Sequence, residues 1–410
     1  MKQLYSGITL NVISIIISLI AIPFLLRNLS LESYGKLTFF SVTCGYAYIF
    51  DMGSSRFLVK KLSASAAHVN SIRVFRLIIA SVCLLTIWLF LVALLADVCK
   101  LTSIVFGESF VETFFWLYPI LVASLLQRSV LLRLQSEEKN RQYILLNFLL
   151  TLTTTLTTLP MSFYTNNIYL IIFVSGLFKC MILFSFISPH YIKRRRLWVW
   201  YKVLIIKSSS SFSSYFSNIV SGYFDKAMMA MFVPGALGPY MLANQVVEKA
   251  TIIPTVHSSL SYKKFSFMRT PDFIKFLYGP HVSFSLILVI FLAVTKIDYG
   301  SWISEDYQAA IHIARYLSIY YFFVGFNVYY YNFSIVHTNA NHLMKIDALM
   351  ILYMVFTYPT FGIIFGINGL MGCMIIKSML EYLLHSHFYQ VSKTLAMIWL
   401  SALALGVMWL

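Results

Sequence analysis

Run after run of about twenty apolar residues constrains this chain more than any other feature of it. In hydrocarbon, such a segment can satisfy its own backbone only as an α-helix. The runs fall at 7–26, 37–59, 74–96, 113–133, 143–164, 167–187, 209–233, 239–260, 279–296, 313–335, 346–366 and 368–388, with 394–410 a candidate thirteenth. They are too long and too uniformly apolar to be barrel strands. Composition agrees: only 11% of residues are charged and mean hydropathy is +0.78, where a soluble domain carries about 25% charged residues. The expected fold is an all-α polytopic membrane protein of about twelve transmembrane helices. The first run follows Met1 and Lys2 as a signal peptide does, but no small-residue cleavage site follows it, so it is expected to be a retained helix.

Loop charges set the expected orientation. With the N-terminus in the cytoplasm, the inner loops hold Lys60, Lys61, Arg73, Arg76, Lys139, Arg141, the run "KRRR" at 193–196, Lys263, Lys264, Arg269 and Lys275. The outer loops hold Arg27, Lys36, Lys100 and Lys296, and collect the acids Asp97, Glu108, Glu112, Asp298, Glu305 and Asp306. Cytoplasmic loops carry the Lys/Arg excess in membrane proteins, so the net charge of +16 marks a face beside anionic lipid. It gives no reason to expect a nucleic-acid partner.

The order of short features repeats. "PFLLRNLSLESYGKLTFFSV" (23–42) joins the first two runs by a short turn, and "MAMFVPGALGPYMLANQVVE" (229–248) joins the seventh and eighth, with Tyr34 and Tyr240 at matching places. Paired lysines follow each about twenty residues on, at 60–61 and 263–264. "SEEKNRQYILL" after the fourth run corresponds to "HTNANHLMKID" after the tenth, and "YTNNIYL" before the sixth to "FGINGL" before the twelfth. Six runs per half, both starting inside, predict two parallel repeats. The expected division is a lobe over 1–192, a basic linker over 193–208, a second lobe over 209–390 and an additional helix within 391–410.

Several runs carry polar residues at helical spacing. Ser41, Gly45, Tyr48, Asp51 and Ser55 share one face of the second run, Ser211, Ser214, Asn218, Ser221 and Asp225 one face of the seventh, and Asn244, Glu248, Thr251 and Thr255 one face of the eighth. The fifth contributes Asn147, Thr151, Thr154 and Thr158, for which hydrogen bonding between helices is the expected role.

Ionisable groups inside runs ask for more. A charge facing lipid at mid-bilayer costs about 3 kcal/mol on insertion scales, and Arg56, Arg128, Lys179, Lys226, Lys249, Arg315, Lys377, Asp51, Asp225, Glu248 and Glu381 all lie within runs. Arg56, Arg128 and Arg315 lie near run ends and could snorkel. Lys377 and Glu381 are one helical turn apart and could pair. Asp225–Lys226 and Glu248–Lys249 lie deep in consecutive runs, where neighbours in sequence do not face each other. Either they cross-pair as structural ion pairs, or they line a water-filled cavity between the lobes; the cavity is the favoured reading. The five cysteines lack metal-ligand spacing and read as small apolar fillers. No metal is expected.

"FDMGSSRFLVKK" (50–61), "GPYMLANQVVE" (238–248) and "FGINGL" (365–370) within two six-helix halves resemble the multidrug/oligosaccharidyl-lipid/polysaccharide exporter superfamily, and within it the O-antigen (Wzx-type) flippases. The resemblance implies translocation of an undecaprenyl-diphosphate-linked repeat unit across the bacterial inner membrane, without a cofactor. A lumen with Arg56, Arg128, Lys179, Lys226, Lys249 and Lys377 suits a diphosphate. Asp51, Asp225 or Glu248 would take up the coupling cation. Membrane lipids, a polysaccharide polymerase and a chain-length regulator are the other implied partners. Tyr316, Tyr320, Tyr329, Tyr330 and Tyr331 in the tenth run could offer ring faces to sugar, or form an interfacial belt.

A drug or metabolite exporter of the same superfamily is the nearest alternative, because fold does not fix function. A membrane glycosyltransferase or polymerase is less favoured. The first outward loop, "RNLSLESYGK", offers only Glu32, and the loops near 97–112 and 297–312 hold no evident acid–base–nucleophile set.

Overall fold

The computed structural model describes residues 2–45, 110–136, 139–186, 223–251, 254–255, 257–258, 261–277, 279, 305–337 and 340–389. Every regular element among them is helical. The chain divides into two compact units, Met1–Ile219 and Val220–Leu410. The expected runs 74–96 and 394–410, nearly all of 279–296, most of 37–59 and the linker 193–208 lie outside the described residues.

The first unit contains α1 (Lys2–Asn28), α2 (Leu31–Gly45), α3 (Phe110–Ser136), α4 (Asn140–Tyr164) and α5 (Ile168–Ser185). α1 and α2 are separated only by Leu29 and Ser30, and the Ser30 hydroxyl caps α2 by accepting from the Ser33 backbone N–H at 3.2 Å. α5 begins where "YTNNIYL" predicts. Asn167 Oδ1 accepts from the backbone N–H groups of Tyr169 and Leu170 at 3.0 and 3.2 Å, satisfying two donors that a helix start leaves open.

In this unit α1 packs on α4, while α5 packs on both α3 and α4. Ala123, Leu126, Val130 and Leu134 place a buried stripe of α3 against Leu146, Leu150 and Leu183. Lipid tails are as apolar as these side chains, so close packing holds such helices together more than exclusion of water does. Gly176 shows the closeness: a Cβ there would press on the backbone of Ile120 and lie 2.8 Å from the Pro119 carbonyl carbon.

The threonines of α4 depart from expectation. Thr151, Thr154 and Thr158 donate to the carbonyls of Asn147, Leu150 and Thr154, one turn back on their own helix. A hydroxyl four residues along a helix reaches its own backbone more easily than a neighbouring helix. Cross-helix bonds between α1 and α4 include Ser18–Thr155 at 3.3 Å and Asn28 Nδ2 donating to Ser162 Oγ at 3.1 Å.

The second unit contains α6 (223–232), α7 (Leu237–Glu248), α8 (Tyr262–Phe267), α9 (270–277), α10 (Glu305–Val336) and α11 (Ala340–Phe388). Pro234–Ala236 form a 3-10 turn between α6 and α7. α10 is central: α7, α8 and α11 all pack on it. Around it lies an aromatic core in which Phe273 and Phe333 stack with ring centres 4.0 Å apart.

α11 is two helical arms joined at Gly366, whose φ of 58° and ψ of −136° interrupt the helix. An L side chain is strained there, and glycine is not. Gly369 completes the turn, since a Cβ at that position would meet the Phe361 carbonyl carbon at 2.9 Å. The expected runs 346–366 and 368–388 are therefore the two arms of one hairpin, with "FGINGL" at its bend.

Candidate functional site

Two buried charges of the second unit stand side by side near the place where α6, α7 and α10 come together. Asp225 and Lys226 on α6 are both buried, at 3% exposure each. Asp225 Oδ1 accepts the backbone N–H of Lys226 at 2.9 Å and lies 3.7 Å from Lys226 Nζ. Sequence spacing argued that neighbours would not meet. They do meet here, because the flexible lysine stem folds back to the nearest carboxylate once both groups are removed from water. The other carboxylate oxygen, Oδ2, accepts the Tyr240 hydroxyl of α7 at 3.1 Å.

One turn along α7 from Tyr240, a second set of bonds begins. The Tyr321 hydroxyl on α10 donates to Asn244 Oδ1 at 2.6 Å, and Asn244 Nδ2 donates to Glu248 Oε2 at 2.8 Å. Asn244 is fully buried, whereas Glu248 is exposed and Lys249 half-buried. The two acids thus differ in setting: Asp225 is enclosed and Glu248 open. Tyr320 stands beside Tyr321 with ring centres 4.9 Å apart, and Tyr358 of α11 lies fully buried against Phe224. The sites can therefore be described as a buried acid–base pair under tyrosine hydroxyls, and an open acid held by an amide.

Of the other expected site residues, Asp51 and Arg56 lie outside the described residues. So does the side chain of Arg128, whose backbone belongs to α3. Lys179 is half-buried on α5 in the first unit. Lys377 is buried in the second arm of α11, at 4% exposure, one turn before Glu381.

Of the five tenth-run tyrosines, three lie in the interior, while Tyr316 and Tyr331 are half-buried. Tyr320, Tyr329 and Tyr330 are buried. Tyr329 and Tyr330 belong to the aromatic core around Phe265, Phe273 and Phe333, so their rings are already covered by protein and offer no face to sugar. The Tyr329 hydroxyl instead bonds His257 Nδ1 at 2.9 Å. Sequence reasoning missed Tyr321 and the bonding role of Tyr240. Tyr240 carried a signal as the counterpart of Tyr34, which is also fully buried, at 1%; Tyr321 sits in an aromatic run without periodicity and carried none.

The sequence matches no protein-family model and no curated protein. The fold, however, is shared with solved transporters. A MATE multidrug transporter, DinF-BH, aligns over 94% of both chains with a TM-score of 0.66 and 12% identity. The lipid II flippase MurJ, in an inward closed conformation, aligns over 94% of this chain and 87% of its own with a TM-score of 0.60 and 13% identity. A MOP superfamily transporter from Pyrococcus furiosus, whose binding pocket of reverse polarity suggests a different function, aligns over 95% and 93% with a TM-score of 0.60 and 12% identity. At these identities the likeness is one of fold. The chain is an all-α, multi-pass membrane protein of about twelve helices.

Proposed function

We propose that this chain is a flippase, moving an undecaprenyl-diphosphate-linked O-antigen repeat unit from the cytoplasmic to the periplasmic leaflet of the bacterial inner membrane. It works by alternating access coupled to an ion gradient, with its N-terminus in the cytoplasm. The observation that carries this reading is the buried Asp225–Lys226 pair beneath Tyr240. Replacing a buried ion pair by apolar residues is often neutral or stabilising, and an ionisable group inside a membrane is by default a functional one. Here the lysine meets the diphosphate and the acid takes up the coupling cation.

Further support comes from the chemistry of the substrate. A diphosphate and a sugar cannot cross hydrocarbon, while a polyprenyl tail remains in it. Arg56, Arg128, Lys179, Lys226, Lys249 and Lys377 supply the cations for the diphosphate, as point charges or as planar forks. Asp51, Asp225 and Glu248 are the candidates for coupling. Polymerase and chain-length regulator act on the unit after it has crossed.

A deletion strain tests the proposal. Loss of surface polysaccharide with accumulation of intact lipid-linked units on the cytoplasmic side is the expected result. A drug or metabolite exporter is the second reading, favoured by the fold shared with DinF-BH. It requires unchanged surface polysaccharide together with altered drug susceptibility, and that outcome rejects the flippase.

A further inference from the structure

The segment 261–279 links the expected runs 239–260 and 279–296, so both its ends are expected at the edge of the apolar layer. It folds as an elbow. α8 ends at Phe267, Met268 is extended with φ −88° and ψ 129°, and α9 follows. The inner side is committed to the core: Phe265, Phe273 and Leu277 are fully buried, with Phe265 and Phe273 in ring contact with Phe333 of α10.

The exposed residues of the elbow have a different character. Lys264, Arg269 and Lys275 are exposed, and Phe267, which lies between Lys264 and Arg269 in sequence, is 81% exposed. Lys264 Nζ stands 4.9 Å from the centre of the Phe276 ring, which holds that ammonium over an apolar flank. Asp272 is the one exposed acid among the described residues of the elbow, against the exposed cations Lys264, Arg269 and Lys275.

A bare phenylalanine among cations is ill suited to water and well suited to the membrane boundary. Aromatic rings settle among lipid headgroups, and lysine and arginine meet the phosphates. We propose that the outer face of this elbow is a binding site for anionic phospholipid headgroups of the leaflet it adjoins. Phe267 enters the headgroup layer, and Lys264, Arg269 and Lys275 contact the phosphates. A protein partner would need a broader apolar face than one phenylalanine beside Thr270, Pro271 and Asp272.

The site is independent of transport, so it is tested on the purified full chain. The chain in neutral detergent is titrated with phosphatidylglycerol and, separately, with phosphatidylcholine, reading bound lipid by native mass spectrometry and the thermal midpoint. The expected result is preferential binding of phosphatidylglycerol. Each basic residue near an anionic surface contributes about a fivefold factor, so Lys264→Gln, Arg269→Gln or Lys275→Gln each weakens binding about fivefold. The triple variant loses about 125-fold by the same factor. Asp272→Asn moves the other way, strengthening binding about fivefold, and as a conservative surface change it keeps the test decisive if the triple variant folds poorly. Equal binding of the two lipids, or no response to Asp272→Asn and the single substitutions, overturns the site.

Discussion

The Tyr240 hydroxyl donates to Asp225 Oδ2 at 3.1 Å, from a helix other than the one that carries the acid. Both groups are buried, at 0% and 3% exposure, so neither has bulk water as a substitute partner. Tyr240→Phe should therefore lower stability by about 1.5–3 kcal/mol, the range for hydrogen bonds to charged groups. Asp225→Asn in the same background should cost less than the two single changes summed, as measured by thermal or denaturant unfolding in detergent. Strict additivity would show that the bond contributes nothing.

The contrast between enclosed Asp225 and open Glu248 separates the coupling candidates. Asp225→Asn is expected to accumulate in the membrane and lose gradient-driven transport, read as surface polysaccharide. Glu248→Gln keeps its bond from Asn244 and is expected to be the milder change. Full polysaccharide with Asp225→Asn would remove that residue from the coupling role.

Lys226 meets substrate phosphate in the proposed reading, so its replacements should rank by charge. Lys226→Arg is expected to be mildest, and Lys226→Ala to weaken substrate affinity roughly ten- to a hundredfold, the equivalent of one charge-assisted contact. Lys226→Glu should be worst, because it adds repulsion. A complementation series in the deletion strain reads the order, and equal activity of all three contradicts the assignment.

Gly176 lies where α5 touches the backbone of α3, with no room for a methyl group. Gly176→Ala must separate the helices or shift them, and overpacking of this kind costs about 1–3 kcal/mol. The unfolding midpoint of the first unit should fall accordingly. Gly235→Ala is the matched control, because a Cβ there meets nothing within 4 Å.

Outside the apolar layer, Glu32 pairs with Lys36 one turn on at 2.6 Å. The hydrogen bond and charge of Lys36 hold the Glu32 carboxyl below its usual range near 4.5. A depressed folded value means that the contribution is present above the ordinary glutamate range and lost as pH falls through the folded value. Both side chains are exposed, so the effect on stability is small. Site-selective carbon NMR should show Glu32 titrating low, and Lys36→Gln should return it to the ordinary range.

The sequence was most legible where one residue type answers one geometric need. "FGINGL" marked the hairpin bend because only glycine sits easily at Gly366 and only a missing side chain fits at Gly369. "YTNNIYL" marked a helix start because asparagine caps one. Reading was weakest where a group has several available partners. Thr151, Thr154 and Thr158 of α4 chose their own backbone over neighbouring helices, Lys226 chose its own neighbour, and Tyr329 and Tyr330 of α10 entered the core. Periodicity places such residues on a face, but it does not say which partner within reach is taken. Asp51 and Arg56, prominent in the sequence, lie outside the described residues.

The bend at Gly366 also bears on how the chain is made. With a single non-helical residue between its arms, α11 has too little connecting chain for one arm to settle in the bilayer while the other waits outside. The two arms of Ala340–Phe388 are therefore expected to enter the bilayer as a paired unit, with the first arm setting the direction of the second. Lysines added after Phe388 should then leave that arm's orientation unchanged, where the same addition behind an isolated helix could invert it.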